Sequence, residues 1–137
     1  MAETESIFVK ILTPEKPFLV KEVSSVEVPA QNGPYMVLPR RAPAMKLLKQ
    51  GVIVLTEEGK TERYLTTDGV IKIRDNGCTI LVKEALNVED VNLDEIKKRL
   101  AVFEEKENRG EPLEAPEIKK KAFLQAAVGY FEKRTVP

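Results

Sequence analysis

The sequence predicts a mainly β protein with an α appendage: an N-terminal antiparallel β-sandwich over residues 1–86, followed by a C-terminal antiparallel helical hairpin over residues 87–137. Three observations carry this reading. Short runs rich in Val, Ile, Leu and Thr fill residues 6–86, and tight-turn dipeptides punctuate them. From Asn87 onward the apolar spacing changes from two residues to three and four.

The elements follow in order. Ser6 to Leu12 alternates apolar and polar residues, and Phe18 to Pro29 does so through Phe18, Val20, Val23, Val26 and Val28. Gly33 to Pro43 holds three prolines, which lock φ and remove backbone donors, so it reads as a rigid shaped connector and not as a central strand. It also carries the adjacent Arg40 and Arg41. Gly51 to Leu55 is apolar throughout, as a buried strand is. Glu58-Gly59, Asp68-Gly69 and Asn76-Gly77 then mark turns, since Asp-Gly and Asn-Gly supply the positive φ of two-residue hairpins. Thr61–Thr66, Val70–Arg74 and Cys78–Lys83 are the strands between and after them, a rhythm that suits a sandwich or barrel.

Asn92 reads as a helix N-cap with Glu95 three residues on. Leu93, Ile96, Leu100 and Phe103 share one face, and Gly110 with Pro112 marks the stop. A second helix is expected from Pro116. The small-residue line Ile118, Ala122, Ala126, Gly129 is its expected packing seam, with Phe123, Ala127 and Tyr130 in the neighbouring row. Helices of this length are marginal in water unless packed, so the hairpin must dock on something and is a natural mobile element.

Composition excludes much chemistry. With 22 basic and 22 acidic residues the net charge is zero, which gives no electrostatic footprint for nucleic acid and no overall attraction to anionic lipid. The chain has no histidine and one cysteine, Cys78. The usual neutral-pH general base, the Ser/His and Cys/His arrangements, disulfides and thiolate metal clusters are thereby removed. No catalytic residue, metal site or cofactor is expected. Cys78 reads as a small core residue. The carboxylates Glu57 and Glu58 lie in a turn without a visible partner. No apolar run approaches the roughly 20 residues of a membrane span, and Met1–Glu5 lacks the features of a signal peptide. These features lead to the expectation of a cytoplasmic chain without direct membrane insertion.

Five segments then stand in a telling order: Leu12-Thr13-Pro14-Glu15-Lys16, Val23–Pro29, the Pro-rich connector with Leu47–Ile53, Thr67–Ile73, and Cys78–Val82. Taken with Leu93-Asp94 and the two-helix tail, they resemble the epsilon subunit of the F-type ATP synthase. The resemblance implies a sandwich of about ten strands and then a helical hairpin. It implies a non-catalytic rotor subunit on the cytoplasmic side of a bacterial inner membrane, bound to the gamma subunit and seated on the c-ring. There the β-domain helps couple ion flow to ATP synthesis. The hairpin is the part that would restrain ATP hydrolysis, reaching the alpha and beta subunits.

The site residues implied are Gln31, Asn32, Gly33, Pro34, Arg40 and Arg41 for the c-ring, against a bland reading as solvated loops. The family connector Leu-Pro-Gly-His-Ala-Pro is here Leu38-Pro39-Arg40-Arg41-Ala42-Pro43, and the usual acidic residue before it is absent from Gln31–Pro34. The family's Ser-Gly-Gly-Phe is here Thr67-Asp68-Gly69-Val70. Asp94 and Lys97 stand where some members bind ATP as a regulatory ligand. The arginine and alanine of that motif are missing, which favours helix-start charge and a solvated face. Lys119-Lys120-Lys121 reads as a solvated run, against contact with acidic surfaces of the catalytic head. Two other classes stand beside the rotor reading: a nucleotide-sensing regulator, and an interaction module or small enzyme outside the ATP synthase.

Overall fold

The computed structural model describes residues 6–15, 17–40 and 42–135, with the backbone alone for residues 131–135. It forms two compact units, Met1–Asn87 and Val88–Pro137.

The first unit holds ten strands: β1 (Ile7–Leu12), β2 (Pro17–Val23), β3 (Ser25–Ala30), β4 (Gly33–Val37), β5 (Ala44–Leu48), β6 (Gly51–Glu57), β7 (Lys60–Thr66), β8 (Gly69–Arg74), β9 (Gly77–Val82) and β10 (Ala85–Asn87). They hydrogen-bond in the order β10-β7-β6-β3-β5-β8-β9-β1-β2, and β4 pairs with β3 off that path. The strip folds over on itself. Phe18 of β2 meets Tyr64 of β7 edge-to-face at 5.7 Å between centroids. Lys21 of β2 bonds Glu62 of β7 and reaches Glu57 of β6 at 3.3 Å. The bond to Glu62 is the main cause that holds the Lys21 ammonium above its usual range. Glu57, expected to stand alone, is thus part of the clasp that shuts one side of the sandwich.

Alternation builds the core. Ile7, Val9 and Ile11 of β1, Val26 and Val28 of β3, and Ile71 and Ile73 of β8 all point inward and are buried. Ser24 is the corner where the Phe18–Pro29 stretch passes from one layer to the other, its N–H bonded to the Thr56 carbonyl at 2.7 Å. Cys78 is buried in this core, and burial pushes its thiol up to about 12, so it is inert as a nucleophile.

Three expectations on the β-region change. First, the Pro-rich connector begins as a strand. β4 pairs only with β3, with Pro34 opposite Pro29, and an edge is where proline is tolerated. Second, the last hairpin turn is Asp75-Asn76, with φ of 49° and 59°; Gly77 already opens β9 opposite Arg74. Third, Asp68-Gly69 is no hairpin turn. β7 pairs with β6 and β10, and β8 with β5 and β9, so these residues cross between layers. Gly69 is needed for close approach, since a Cβ there would lie 2.0 Å from the Leu81 carbonyl oxygen. By contrast Glu58-Gly59 closes β6–β7 as expected, with both φ positive. β1 and β9 run parallel, an arrangement no local signal announces.

The second unit contains α1 (Leu93–Asn108) and α2 (Ala115–Thr135). Asn92 caps α1, its Oδ1 accepting the Glu95 N–H at 3.1 Å. At the other end Gly110 takes φ 80°; its N–H bonds the Glu107 carbonyl and that of Glu111 bonds Lys106, which is a Schellman closure. Lys106 pairs with Glu117 at 3.0 Å, and Lys121 pairs with Glu107, so the helices run antiparallel from the turn. The expected small-residue seam is not the buried side of α2. Ile118 is 55% exposed, Ala122 and Gly129 are exposed, and Phe123, Leu124 and Ala127 of the neighbouring stripe are buried. The large Phe123 and Leu124 set the buried side, because large apolar groups gain more from leaving water than alanines do, and Ala127 lies on that side with them.

Candidate functional site

Strand direction sorts the sandwich into two ends. The β3–β4 turn (Gln31, Asn32), the β5–β6 turn, the β7–β8 crossover and the C-terminal end of β1 share one end. The β8–β9 turn and the connector after β4 share the other. The six candidate residues therefore do not form one cluster. Gln31, Asn32, Gly33 and Pro34 lie at the first end, with Gln31 and Asn32 exposed and Gly33 in the left-handed region at φ 128°. Arg40 lies beyond the far end of β4, whose five residues span roughly 15 Å. Arg41 lies outside the described residues.

Arg40 has its own local account. It adopts φ 65°, a conformation that costs a side-chain-bearing residue about 1–2 kcal/mol. Its N–H donates to Asn76 Oδ1 at 2.6 Å, so the β8–β9 turn holds the connector in that conformation. Asn76, itself at φ 59°, is suited to a left-handed turn position. The glycine that the resemblance places at this point is thus replaced by an arginine braced from a neighbouring turn.

At the Gln31 end the backbone fixes the turn. The Gln31 N–H bonds the Leu47 carbonyl and the Lys49 N–H bonds the Pro29 carbonyl, which lays β5 against the β3–β4 hairpin. A groove of about 320 Å³ runs there between Gln31, Asn32, Pro34, Tyr35, Lys46 and Leu47. Lys46 Nζ lies 4.5 Å over the Tyr35 ring.

A second surface was missed by sequence reasoning. Leu47 of β5 stands opposite Val70 of β8, Val70 opposite Leu81 of β9, and Leu81 opposite Leu12 of β1. All four lie on the outer face, since Leu48, Ile71, Ile80, Val82 and Ile11 beside them are buried inside. Leu47 is 55% and Leu81 38% exposed. The next row on the same face is Met45, Lys72, Thr79, Lys10 and Val20, with Met45 67% exposed. The signal was present: Leu47-Leu48, Val70-Ile71, Ile80-Leu81-Val82 and Ile11-Leu12 break the alternation that a half-solvated strand keeps. A contiguous apolar row of this kind marks an interaction surface.

Asp94 and Lys97 both lie in the first turns of α1 and are exposed. Among the described residues no helix is long and apolar enough to cross a membrane.

Comparison with known proteins places this geometry. The β-sandwich domain of the ATP synthase delta/epsilon chain matches residues 6–88. The ATP synthase epsilon chain of Rhizobium rhizogenes is 36% identical over 92 residues, which cover 66% of this chain and 68% of that one. In fold, the chain is similar to a subunit in the mitochondrial ATP synthase of Euglena gracilis, with TM-score 0.62 and 18% identity over 96% of this chain and 81% of that one. A chain in the central stalk and c-ring structure of the Tetrahymena thermophila mitochondrial ATP synthase aligns with TM-score 0.59 and 17% identity over 98% of this chain and 100% of that one. The match across the whole sandwich, the identity to named relatives and the sandwich-plus-two-helix architecture agree: the chain belongs to the epsilon-chain family of the ATP synthase.

Proposed function

We propose that this epsilon chain, a non-catalytic subunit of the ATP synthase, works in the central rotor on the cytoplasmic side of the membrane, clamped between the gamma subunit and the c-ring. The single observation that carries the reading is the outer apolar row Leu12, Leu81, Val70, Leu47, which crosses four hydrogen-bonded strands, with Leu47 and Leu81 exposed and Leu12 and Val70 half-buried. A rigid sheet with one such face is built to hold a partner without strain, and gamma is the partner that the resemblance supplies. The Gln31–Pro34 turn, at the same end of the strands as that row and joined to it through the Leu47 carbonyl, is the part that meets the c-ring. Arg40 leaves the c-ring site in this reading, and Arg41 lies outside the described residues. The described geometry holds Arg40 at the opposite end, where Asn76 Oδ1 accepts its N–H and braces the connector.

The work done is mechanical. The two-layer sandwich, shut by Lys21 with Glu57 and Glu62, transmits torque between ring and gamma as one stiff body. The hairpin is the regulatory element. Its helices are tied at the turn by two surface ion pairs, each worth little alone, and its reach toward alpha and beta would restrain ATP hydrolysis. ATP as a ligand at Asp94 and Lys97 is not favoured, because the pair offers one carboxylate and one ammonium at a solvated helix start.

Purification through an affinity tag on the full chain tests the assignment. Gamma and the c-subunit should elute with it in a salt-stable complex. Elution of the chain alone from solubilised membranes would refute the reading.

A further inference from the structure

The dipeptide Asn-Gly occurs twice, at Asn32-Gly33 in the β3–β4 turn and at Asn76-Gly77 in the β8–β9 turn. It is a pair open to self-reaction, because glycine has no Cβ to shield its amide nitrogen from the asparagine side chain. Both asparagines are exposed. The fold nevertheless holds the two in opposite states.

Asn76 is guarded in three ways. It sits at φ 59°, and the left-handed region, with ψ of about 47°, turns the next backbone nitrogen away from Cβ. Its Oδ1 accepts the Arg40 N–H at 2.6 Å, and its main-chain carbonyl accepts the Phe8 N–H at 2.9 Å. Gly77 is also crowded, since a Cβ there would lie 3.3 Å from the Phe8 carbonyl oxygen and 3.4 Å from that of Arg74. Asn32 has none of these restraints. In its turn positive φ falls on Gly33 instead, at 128°. Among the described residues, none hydrogen-bonds the Asn32 side chain. Nothing lies within 4 Å of where a Gly33 Cβ would stand.

We infer that Asn32 is a site of spontaneous conversion to aspartate and isoaspartate in the folded free chain, and that the fold protects Asn76 from the same reaction. The Gly33 amide nitrogen gives its proton to solvent and bonds to Asn32 Cγ. The Cγ–Nδ2 bond breaks, and the departing nitrogen takes a proton from solvent and leaves as ammonia. Water then opens the succinimide at Cγ to give aspartate, or at the main-chain carbonyl to give isoaspartate. Nothing is oxidised or reduced, and water is the co-reactant. Either product puts a carboxylate into a groove lining whose charged side chain is Lys46. Isoaspartate also carries the backbone through Cβ and Cγ, which lengthens a tight turn. At Asn76 the same ring could close only after the residue left the left-handed region and released Arg40 and Phe8. The inference does not depend on the rotor reading.

The test incubates the full chain in mildly alkaline buffer, once folded and once in concentrated urea. Peptide mapping by mass spectrometry reads both sites, and isoaspartyl methylation separates the two products. In urea the two asparagines should convert at similar rates, because the dipeptide is the same. In the folded chain Asn32 should stay near its urea rate, and Asn76 should be slower by at least about tenfold. Arg40→Pro removes the N–H that holds Asn76 Oδ1, so it should speed Asn76 by about fivefold and leave Asn32 unchanged. Gly59→Ala, which strains a different turn, should change neither rate. Equal rates at the two sites in the folded chain would overturn the proposal. So would an Asn32 that converts in urea and not when folded, or that converts in neither. An Asn76 rate raised equally by Gly59→Ala and Arg40→Pro would overturn the local guard in favour of global unfolding.

Discussion

Gly69→Ala is the sharpest perturbation of the β-unit. The new Cβ would stand 2.0 Å from the Leu81 carbonyl oxygen and 2.9 Å from Val82 Cγ1. The oxygen belongs to backbone, so no side-chain rotation relieves it, and β8 must move off β9 by about 1 Å to restore ordinary contact. Overpacking of this kind costs about 1–3 kcal/mol. The same movement weakens the pairing of Gly69 with Val82 and with Leu48, adding about 1 kcal/mol for each backbone hydrogen bond lost. The total is about 3–5 kcal/mol, and for a unit of this size each kcal/mol lowers the melting temperature by about 4–8 °C. Calorimetry on the full chain should therefore show the β-unit melting at least about 12 °C lower. Gly59→Ala is the internal contrast: its φ is 81° but nothing lies within 4 Å of a Cβ, so it should cost only the conformational term of about 1–2 kcal/mol. A Gly69→Ala melt within about 3 °C of the parent, or a larger loss for Gly59→Ala, would refute the close-approach argument.

Two further outcomes are expected. Asn76→Gly removes the acceptor that holds Arg40 while leaving φ 59° accessible, so urea unfolding should show a loss of about 0.5–1.5 kcal/mol; Asn76→Ala should lose about 1 kcal/mol more, and equal losses would contradict the bracing role. In the hairpin, the Glu114 backbone N–H and then Lys106 hold the Glu117 carboxyl below its usual 4.5. A depressed carboxylate contributes stability above its unfolded value and loses it as pH falls through the folded one. Helical stability, followed by ellipticity, should therefore decline as pH drops below about 4.5, and Glu117→Gln should show the smaller decline; identical pH profiles would contradict this.

Much of the architecture was legible because local chemistry forced it. Glu58-Gly59 closes a hairpin because both residues take positive φ, and Asn92 and Gly110 bound α1 because each satisfies backbone groups that the helix leaves open. What was not legible depends on partners distant in sequence. Gly69 looks like a turn glycine until β9 is laid beside it, and β4 looks like a loop until Pro34 is seen on an edge. The parallel β1–β9 pair and the small-residue line of α2 are settled by packing, which no window of sequence contains. The same holds for the site. Gln31–Pro34 and Arg40 are close in sequence yet separated by the length of β4, whereas Leu12, Leu47, Val70 and Leu81 are far apart in sequence and form one row.

Cross-linking in intact membranes tests the rotor reading most directly, and the buried Cys78, with its thiol near 12, provides a silent background for it. With single cysteines introduced by Leu81→Cys and Asn32→Cys, the first is predicted to cross-link to gamma and the second to the c-subunit. Absence of both products, or exchange of the two partners, would contradict the account.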